Sequence, residues 1–149
     1  MPINSDSESS LVIFDLDGTL ANVKHRLNLL APPSPDYSSF DAACIFDEPI
    51  ASTVAIAKAF HSSGFQIWIL TGRSQNYESQ TRGWLHKYQI PYDKLLMRPN
   101  GDRQPDYKLK KDWALKYALT KRAICALEDR DQVIQMWQEL GVSSLKLVD

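Results

Sequence analysis

Cysteine is nearly missing from this chain. Its two cysteines, Cys44 and Cys125, are too few for a disulfide framework, and neither sits in a metal-ligand spacing such as C-x-x-C. Cys125 lies inside the apolar run Ala123–Leu127 and reads as a small buried hydrophobe. Both are expected as reduced thiols. A charge bias is missing too: 17 basic and 18 acidic side chains leave a net −1. Nothing global therefore draws the chain onto nucleic acid or an anionic membrane, and a polyanion must be met by a local patch. No apolar run approaches the ~20 residues that span a bilayer. Residues 1–10 are polar and acidic, without the basic start and apolar stretch of a signal peptide. The expectation is a flexible N-terminus on a cytoplasmic protein without membrane contact. No internal repeat is visible, and no Gly-rich phosphate loop.

What is present suits one globular domain over 11–149: 44% hydrophobic, 23% charged, and four Trp to anchor packing. Five short apolar runs punctuate it: Leu11–Phe14, Phe65–Leu70, Leu95–Met97, Ala123–Leu127 and Leu145–Val148. Helical periodicity fills the gaps. Tyr77, Trp84, Leu85 and Tyr88 share one face, as do Val133, Ile134, Trp137 and Leu140, while Leu109, Trp113 and Tyr117 recur every fourth residue. Gly64 and Gly141 mark helix ends, the first closing a helix over Ser52–Ser63. Trp84 and Trp137 are therefore read as core, and His61 and His86 as helix surface. Strands alternating with helices predict an α/β fold, a three-layer, doubly wound parallel sheet of about five strands. Ligands bind beyond the carboxyl ends of such strands. The segment at about 21–50 breaks the pattern. Its prolines, in Ala31-Pro32-Pro33-Ser34-Pro35, exclude one continuous helix, and its length suggests a flap-like insertion over the site.

The first run leads straight into Asp15-Leu16-Asp17-Gly18-Thr19. Residues two apart on a strand point the same way, so both carboxylates face one side, and Gly18 lets the chain turn. Paired carboxylates repel unless a cation sits between them, and magnesium prefers such hard oxygen ligands. The second run ends in Thr71-Gly72-Arg73, read as a glycine turn bearing a hydroxyl and a cation; the fourth ends in Glu128-Asp129. Any one of these pairs alone reads as a cap or turn former. Together at one sheet edge they hold what phosphoryl transfer needs: metal carboxylates, a hydroxyl, and cations for an oxyanion. With residue usage at about 5–7% each, the fixed positions of D-x-D-G-T arise by chance in well under ~1% of such chains.

This order of motifs resembles that of the haloacid dehalogenase superfamily phosphatases over Leu11 to Val148. More closely, the chain is similar to the 3′-phosphatase domains of phage polynucleotide kinases. That likeness rests on three stretches: Thr71-Gly72-Arg73 with Thr81-Arg82-Gly83-Trp84; Met97-Arg98 through Gly101-Asp102 to Asp106 and Lys110; and Ala126 to Trp137, containing Glu128-Asp129-Arg130-Asp131. The resemblance implies a Rossmann-like sheet with a minimal cap or none, and magnesium as cofactor. It implies Asp15 as the nucleophile that forms an aspartyl-phosphate, and Asp17 as general acid and base. Asp15, Asp129 and the backbone carbonyl of Asp17 would hold the metal. Glu128 stands where the family usually has Asp and would act from behind or through water. Thr71 and a lysine would bind phosphoryl oxygens. Lys108, Lys110 and Lys111 crowd that position; spacing from Asp106 favours Lys110, with Lys108 the alternative.

Gly72, Arg73, Arg82 and Arg98, with His25 and Arg26 after the first motif, form the candidate substrate rim, extended by Arg103 and Lys24. The expected substrate is a 3′-phosphorylated nucleic acid end. Other readings stay open: a nucleotidase on free mononucleotides, a receiver-type phosphoacceptor, or an inactive relative that only binds. A receiver needs an accepting Asp after the third strand, whereas Leu95-Leu96-Met97 runs into Arg98-Pro99.

Overall fold

The apolar runs lie side by side as parallel strands. The computed structural model describes residues 10–148, so the expected flexible N-terminus lies outside the described residues except for Ser10. In chain order the elements are β1 (Leu11–Phe14), β2 (Ala21–Asn22), α1 (Tyr37–Ala42), β3 (Glu48–Pro49), α2 (Ala51–Ser62) and β4 (Gln66–Ser74). There follow α3 (Glu78–Lys87), β5 (Lys94–Arg98), α4 (Asp106–Lys116), β6 (Ala123–Leu127), α5 (Asp131–Glu139) and β7 (Ser144–Leu145). The main sheet has the order β5-β4-β1-β6-β7, with every pairing parallel.

Strand alternation divides the core into two layers. Val12 and Phe14 of β1, Ile67 and Ile69 of β4, and Leu95 and Met97 of β5 face one side, against Val54, Trp84 and Leu85. Their neighbours Leu11, Ile13, Trp68, Leu70 and Leu96 face the other, against Ala114, Val133, Met136 and Trp137. A side chain every second residue on each face is what the pleat dictates. The three-layer, doubly wound α/β arrangement is thus the one expected. Its order is not that of a receiver, in which the first strand lies between the second and third. Here β1 is flanked by β4 and β6, and the strand order reverses between β1 and β6.

Two strand ends depart from the sequence reading. Thr71-Gly72-Arg73 is not a turn: β4 runs on to Ser74, and its register with β5 shifts between Thr71 and Ser74. Of the final run only Leu145 joins the sheet edge, as β7 with Ser144, and Val148 beyond it is 81% exposed. An edge strand has one neighbour, so its apolar residues gain little burial.

The 21–50 segment forms no continuous helix. A 3₁₀ turn over Lys24–Leu30 precedes α1, and a second over Ala43–Phe46 follows it. Its two ends are drawn together by the antiparallel pair β2–β3, Ala21 opposite Pro49. The indole N–H of Trp84 donates to the Asp47 carbonyl at 2.8 Å and fastens the segment to α3. Cys44 and Cys125 are both buried free thiols. No helix among the described residues is long and apolar enough to cross a membrane.

Trp137 is 1% exposed at the centre of the α4–α5 layer. Trp137→Ala should cost about 3–5 kcal/mol through lost burial and a residual cavity. Urea unfolding should show this as a lowered midpoint at unchanged slope.

Candidate active site

Three elements converge where β1 and β6 end. β1 delivers Asp15, which is 6% exposed, and β6 delivers Glu128 and Asp129. α4 delivers Lys110, one turn beyond Asp106 on the same helical face. The Lys110 ammonium donates to Asp15 Oδ1 at 2.8 Å and to Glu128 Oε2 at 2.7 Å. Thr19 donates from Oγ1 to the other Asp15 oxygen at 3.1 Å. Glu128 Oε1 accepts the backbone N–H groups of Asp129 and Arg130, which shapes the turn into α5.

Oxygens of Asp15, Glu128 and Asp129 lie within 4.8 Å of one another. Three carboxylates facing one ammonium leave two negative charges in a buried place. The electrostatics follow. Burial, then the Glu128 charge, lift the Asp15 carboxyl to about 7. Burial, then Asp15, lift Asp129 to about 7. Burial also raises Glu128. Burial would lower the Lys110 ammonium, but Asp15 and Glu128 outweigh it and hold its pKa above the usual lysine range. Asp129 Oδ1 is buried without a hydrogen-bond partner. A hard divalent cation fits these residues: it would neutralise the surplus charge and engage that oxygen. Gly18 makes the crowding possible. Its φ of +85° is costly for other residues, and a Cβ there would stand 2.8 Å from Asp129 Cγ.

Asp17 sits in the opposite kind of environment. Its Oδ1 accepts from Arg26 Nη2 at 2.8 Å and from Arg73 Nη2. Arg26 forks onto Asp47 at 2.8 and 2.6 Å, donates to the Phe40 carbonyl and stacks on the Phe40 ring. Arg73 donates to Thr81. Burial alone would raise Asp17, yet Arg73 and then Arg26 outweigh it and hold its carboxyl below the usual carboxylate range.

A cleft of about 840 Å³ opens above Asp15, Asp17 and Thr71. The 21–50 segment walls one side with Tyr37, Phe40 and Asp41. The β5–α4 connection walls the other with Asn100, Arg103 and Gln104. Thr71 is 1% exposed and its Oγ1 accepts the Arg73 N–H. Lys110 is buried at the site and Lys108 is exposed, so the geometry selects between them.

The expected rim is rearranged. Arg26 and Arg73 are 1% and 2% exposed and are occupied by Asp17, Asp47 and Thr81, so they cannot serve as a solvent-facing patch. Arg98 lines the cleft but is tied to the Gly72 and Gln104 carbonyls and to Asp106. Arg82 is not brought to the cleft; it pairs with Glu78 and the Tyr92 hydroxyl on the exposed side of α3. His25 is bonded to Asp47 and lies outside the lining. Gly72 lines the cleft, and a Cβ there would stand 2.9 Å from Asp106 Cγ. Asp41, Asp47, Thr81, Tyr37 and Tyr77 escaped the sequence reading as site residues. Their signal is spatial: Asp41, Asp47, Thr81 and Tyr77 meet partners from elsewhere in the chain, and Tyr37 lines the cleft.

The family model described as the polynucleotide kinase PNKP phosphatase domain matches residues 9–149. A protein assigned as a bifunctional polynucleotide kinase/RNA ligase in Autographa californica nuclear polyhedrosis virus is 32% identical over 137 residues, 90% of this chain and 18% of that protein. A chain of the Pnkp1/Rnl/Hen1 complex superimposes with TM-score 0.80 at 32% identity, over 95% of this chain and 47% of its own. The present chain thus spans less than half of either relative. The D,D-heptose 1.7-bisphosphate phosphatase from B. bronchiseptica, complexed with magnesium and phosphate, shares the fold at TM-score 0.58 and 15% identity, over 91% of this chain and 78% of its own.

The Arg26–Asp47 pair is almost wholly buried, with side chains 1% and 0% exposed. Asp47→Ala would leave the Arg26 guanidinium short of its forked partner. Unfolding should then become easier by about 3–5 kcal/mol, measured by chemical denaturation.

Proposed function

The chain belongs to the polynucleotide kinase PNKP phosphatase-domain family and is a phosphatase of the haloacid dehalogenase type, and from that premise we propose that it is a magnesium-dependent phosphomonoesterase removing 3′-phosphate from nucleic acid ends. The observation that carries the reading is Asp15: a carboxylate at a strand end, open to a cleft, held by Lys110 and Thr19 beside a cation-fitting acidic cluster.

The steps follow from the chain's own groups. An Asp15 oxygen attacks phosphorus while the bond from phosphorus to the ester oxygen breaks, giving an aspartyl-phosphate. Asp17 gives its proton to the departing oxygen. It then takes a proton from a water whose oxygen attacks the same phosphorus, restoring the Asp15 carboxylate and releasing inorganic phosphate. Lys110 and Thr71 hold the phosphoryl oxygens, and Glu128 positions Lys110. Magnesium bound by Asp15, Asp129 and the Asp17 carbonyl would supply charge neutralisation for nucleophile and phosphate.

Asp17 must carry a proton in the first half and none in the second. Arg73 and Arg26 favour the ionised form, which suits the base. An arriving phosphoryl dianion places negative charge nearby and favours the protonated form. Asp17 Oδ2 has no protein partner among the described residues, so a proton there meets no competing donor.

The cleft exceeds what one phosphate needs, and the 21–50 segment acts as a flap over it. Arg103 is exposed on its rim and makes no ion pair or hydrogen bond among the described residues. A forked guanidinium of that kind suits a backbone diester beyond the terminal nucleotide.

Asp15→Asn should remove turnover on p-nitrophenyl phosphate while leaving the fold intact, and EDTA should do the same until magnesium is restored. More than roughly a few per cent residual turnover in the variant would reject the nucleophile.

Phosphate release from a 3′-phosphorylated oligonucleotide should exceed that from mononucleotides, and its KM should rise with salt. Arg103→Ala should raise that KM severalfold and flatten the salt dependence, with little effect on p-nitrophenyl phosphate. Equal response of oligonucleotide and mononucleotides would make the enzyme a nucleotidase instead.

A further inference from the structure

Asp41 is the one carboxylate of the cleft lining that neither enters the chemistry above nor pairs with a cation among the described residues. It lies in the last turn of α1, and its Oδ2 accepts the backbone N–H of Ser74 at 3.0 Å. That bond fixes the carboxylate against the end of β4. Its other oxygen, Oδ1, has no hydrogen bond among the described residues, and no Lys or Arg pairs with the group. Asp17, Asp47 and Asp106, by contrast, each hold an arginine. Asp41 therefore presents an acceptor to the cleft with no protein donor to meet it.

Its position is set from both sides by the Asp17 clamp. Phe40, the preceding residue, gives its carbonyl to Arg26 Nη1 at 2.9 Å and its ring to the same guanidinium. Ser74 follows Arg73, and both arginines hold Asp17. The Asp17 charge is felt at Asp41, where it adds to the effect of burial. Asp17 serves the leaving oxygen, so Asp41 stands beside the leaving group rather than beside the phosphoryl oxygens.

An acceptor there repels phosphate oxygens and demands a donor. On a 3′-phosphorylated end, the donor nearest the leaving oxygen is a hydroxyl on the adjacent ribose carbon. We propose that Asp41 accepts a hydrogen bond from the 2′-hydroxyl of the terminal nucleotide, making a 3′-phosphorylated ribonucleotide end the preferred substrate. A hydroxyl bound by a carboxylate forms a charge-assisted bond, and the 2′-hydroxyl is the group by which a protein distinguishes RNA from DNA. This assignment rests on the 3′-end phosphatase reading.

Three oligonucleotides differing only at the terminal sugar, 2′-hydroxyl, 2′-deoxy and 2′-O-methyl, test it, with p-nitrophenyl phosphate as control. The intact protein should favour the ribo end over both others by roughly tenfold or more in kcat/KM. The methyl ether separates donation from mere presence of oxygen. Asp41→Ala and Asp41→Asn should bring the ribo-to-deoxy ratio close to one; the amide of the second can still accept from Ser74. A latch that only held the flap would lower all substrates together and leave the ratio unchanged in both variants, which would overturn the assignment. So would equal kcat/KM for the three ends in the intact protein. If p-nitrophenyl phosphate is hydrolysed and no oligonucleotide is, the 3′-end reading itself fails and the assignment falls with it.

Discussion

Three carboxylates gathered around one lysine ammonium are the constraint from which the rest of this molecule follows. Asp15 and the Glu128-Asp129 pair meet because β1 and β6 are hydrogen-bonded neighbours with Phe14 opposite Leu127. Neither strand could end this way alone, since buried carboxylates in contact repel and lose hydration. Lys110 must reach in from α4, Gly18 must lack a side chain, and one Asp129 oxygen remains for a cation. The place where the strand order reverses is where an open α/β sheet leaves a crevice. Charge and topology thus select the same spot.

The two aspartates of the first motif are separated by their surroundings rather than by their sequence. Burial and acidic neighbours raise Asp15, whereas two guanidiniums hold Asp17 down. The division is one of proton affinity, and a bound cation would return Asp15 to the ionised form that the proposed attack on phosphorus needs. Asp47 underlies this division. It neutralises Arg26 on one side while Asp17 takes the other, so the buried guanidinium is oriented and not merely compensated.

The parts legible in the sequence were those that obey local rules. Runs such as Leu11–Phe14 announced strands by burial on both faces, and residues two apart had to share a side. Asp15, Thr71, Lys110 and Asp129 could be named as candidates because each follows an apolar run or, with the resemblance, a fixed spacing. The roles of the arginines were not legible. Arg73 meets Asp17 across 56 residues and Arg26 meets Asp47 across 21, so a cation that looked free proved internal. Arg82 misled for a different reason: a helical position fixes a face, but Tyr92 beyond the helix decides where the guanidinium lies. β4 ran past its apolar stretch because pairing with Arg98 of β5 continues beyond the register shift.

Under the proposed reading, substrate choice and catalytic chemistry are carried by different parts of the chain. The phosphatase at 15% identity shares the fold, and a fold alone does not specify a function. In this chain the 21–50 segment walls the cleft, closed at its base by β2–β3 and fastened to α3 through Trp84. Phe40 and Asp41 lie next to each other in that segment. The carbonyl of the first steadies the arginine that holds Asp17, and the carboxylate of the second lines the cleft. A displacement of α1 would therefore disturb Asp17 and the proposed sugar contact together. Under that reading, binding energy from the sugar would be realised at the reacting atoms, because both depend on the same six-residue helix staying in place.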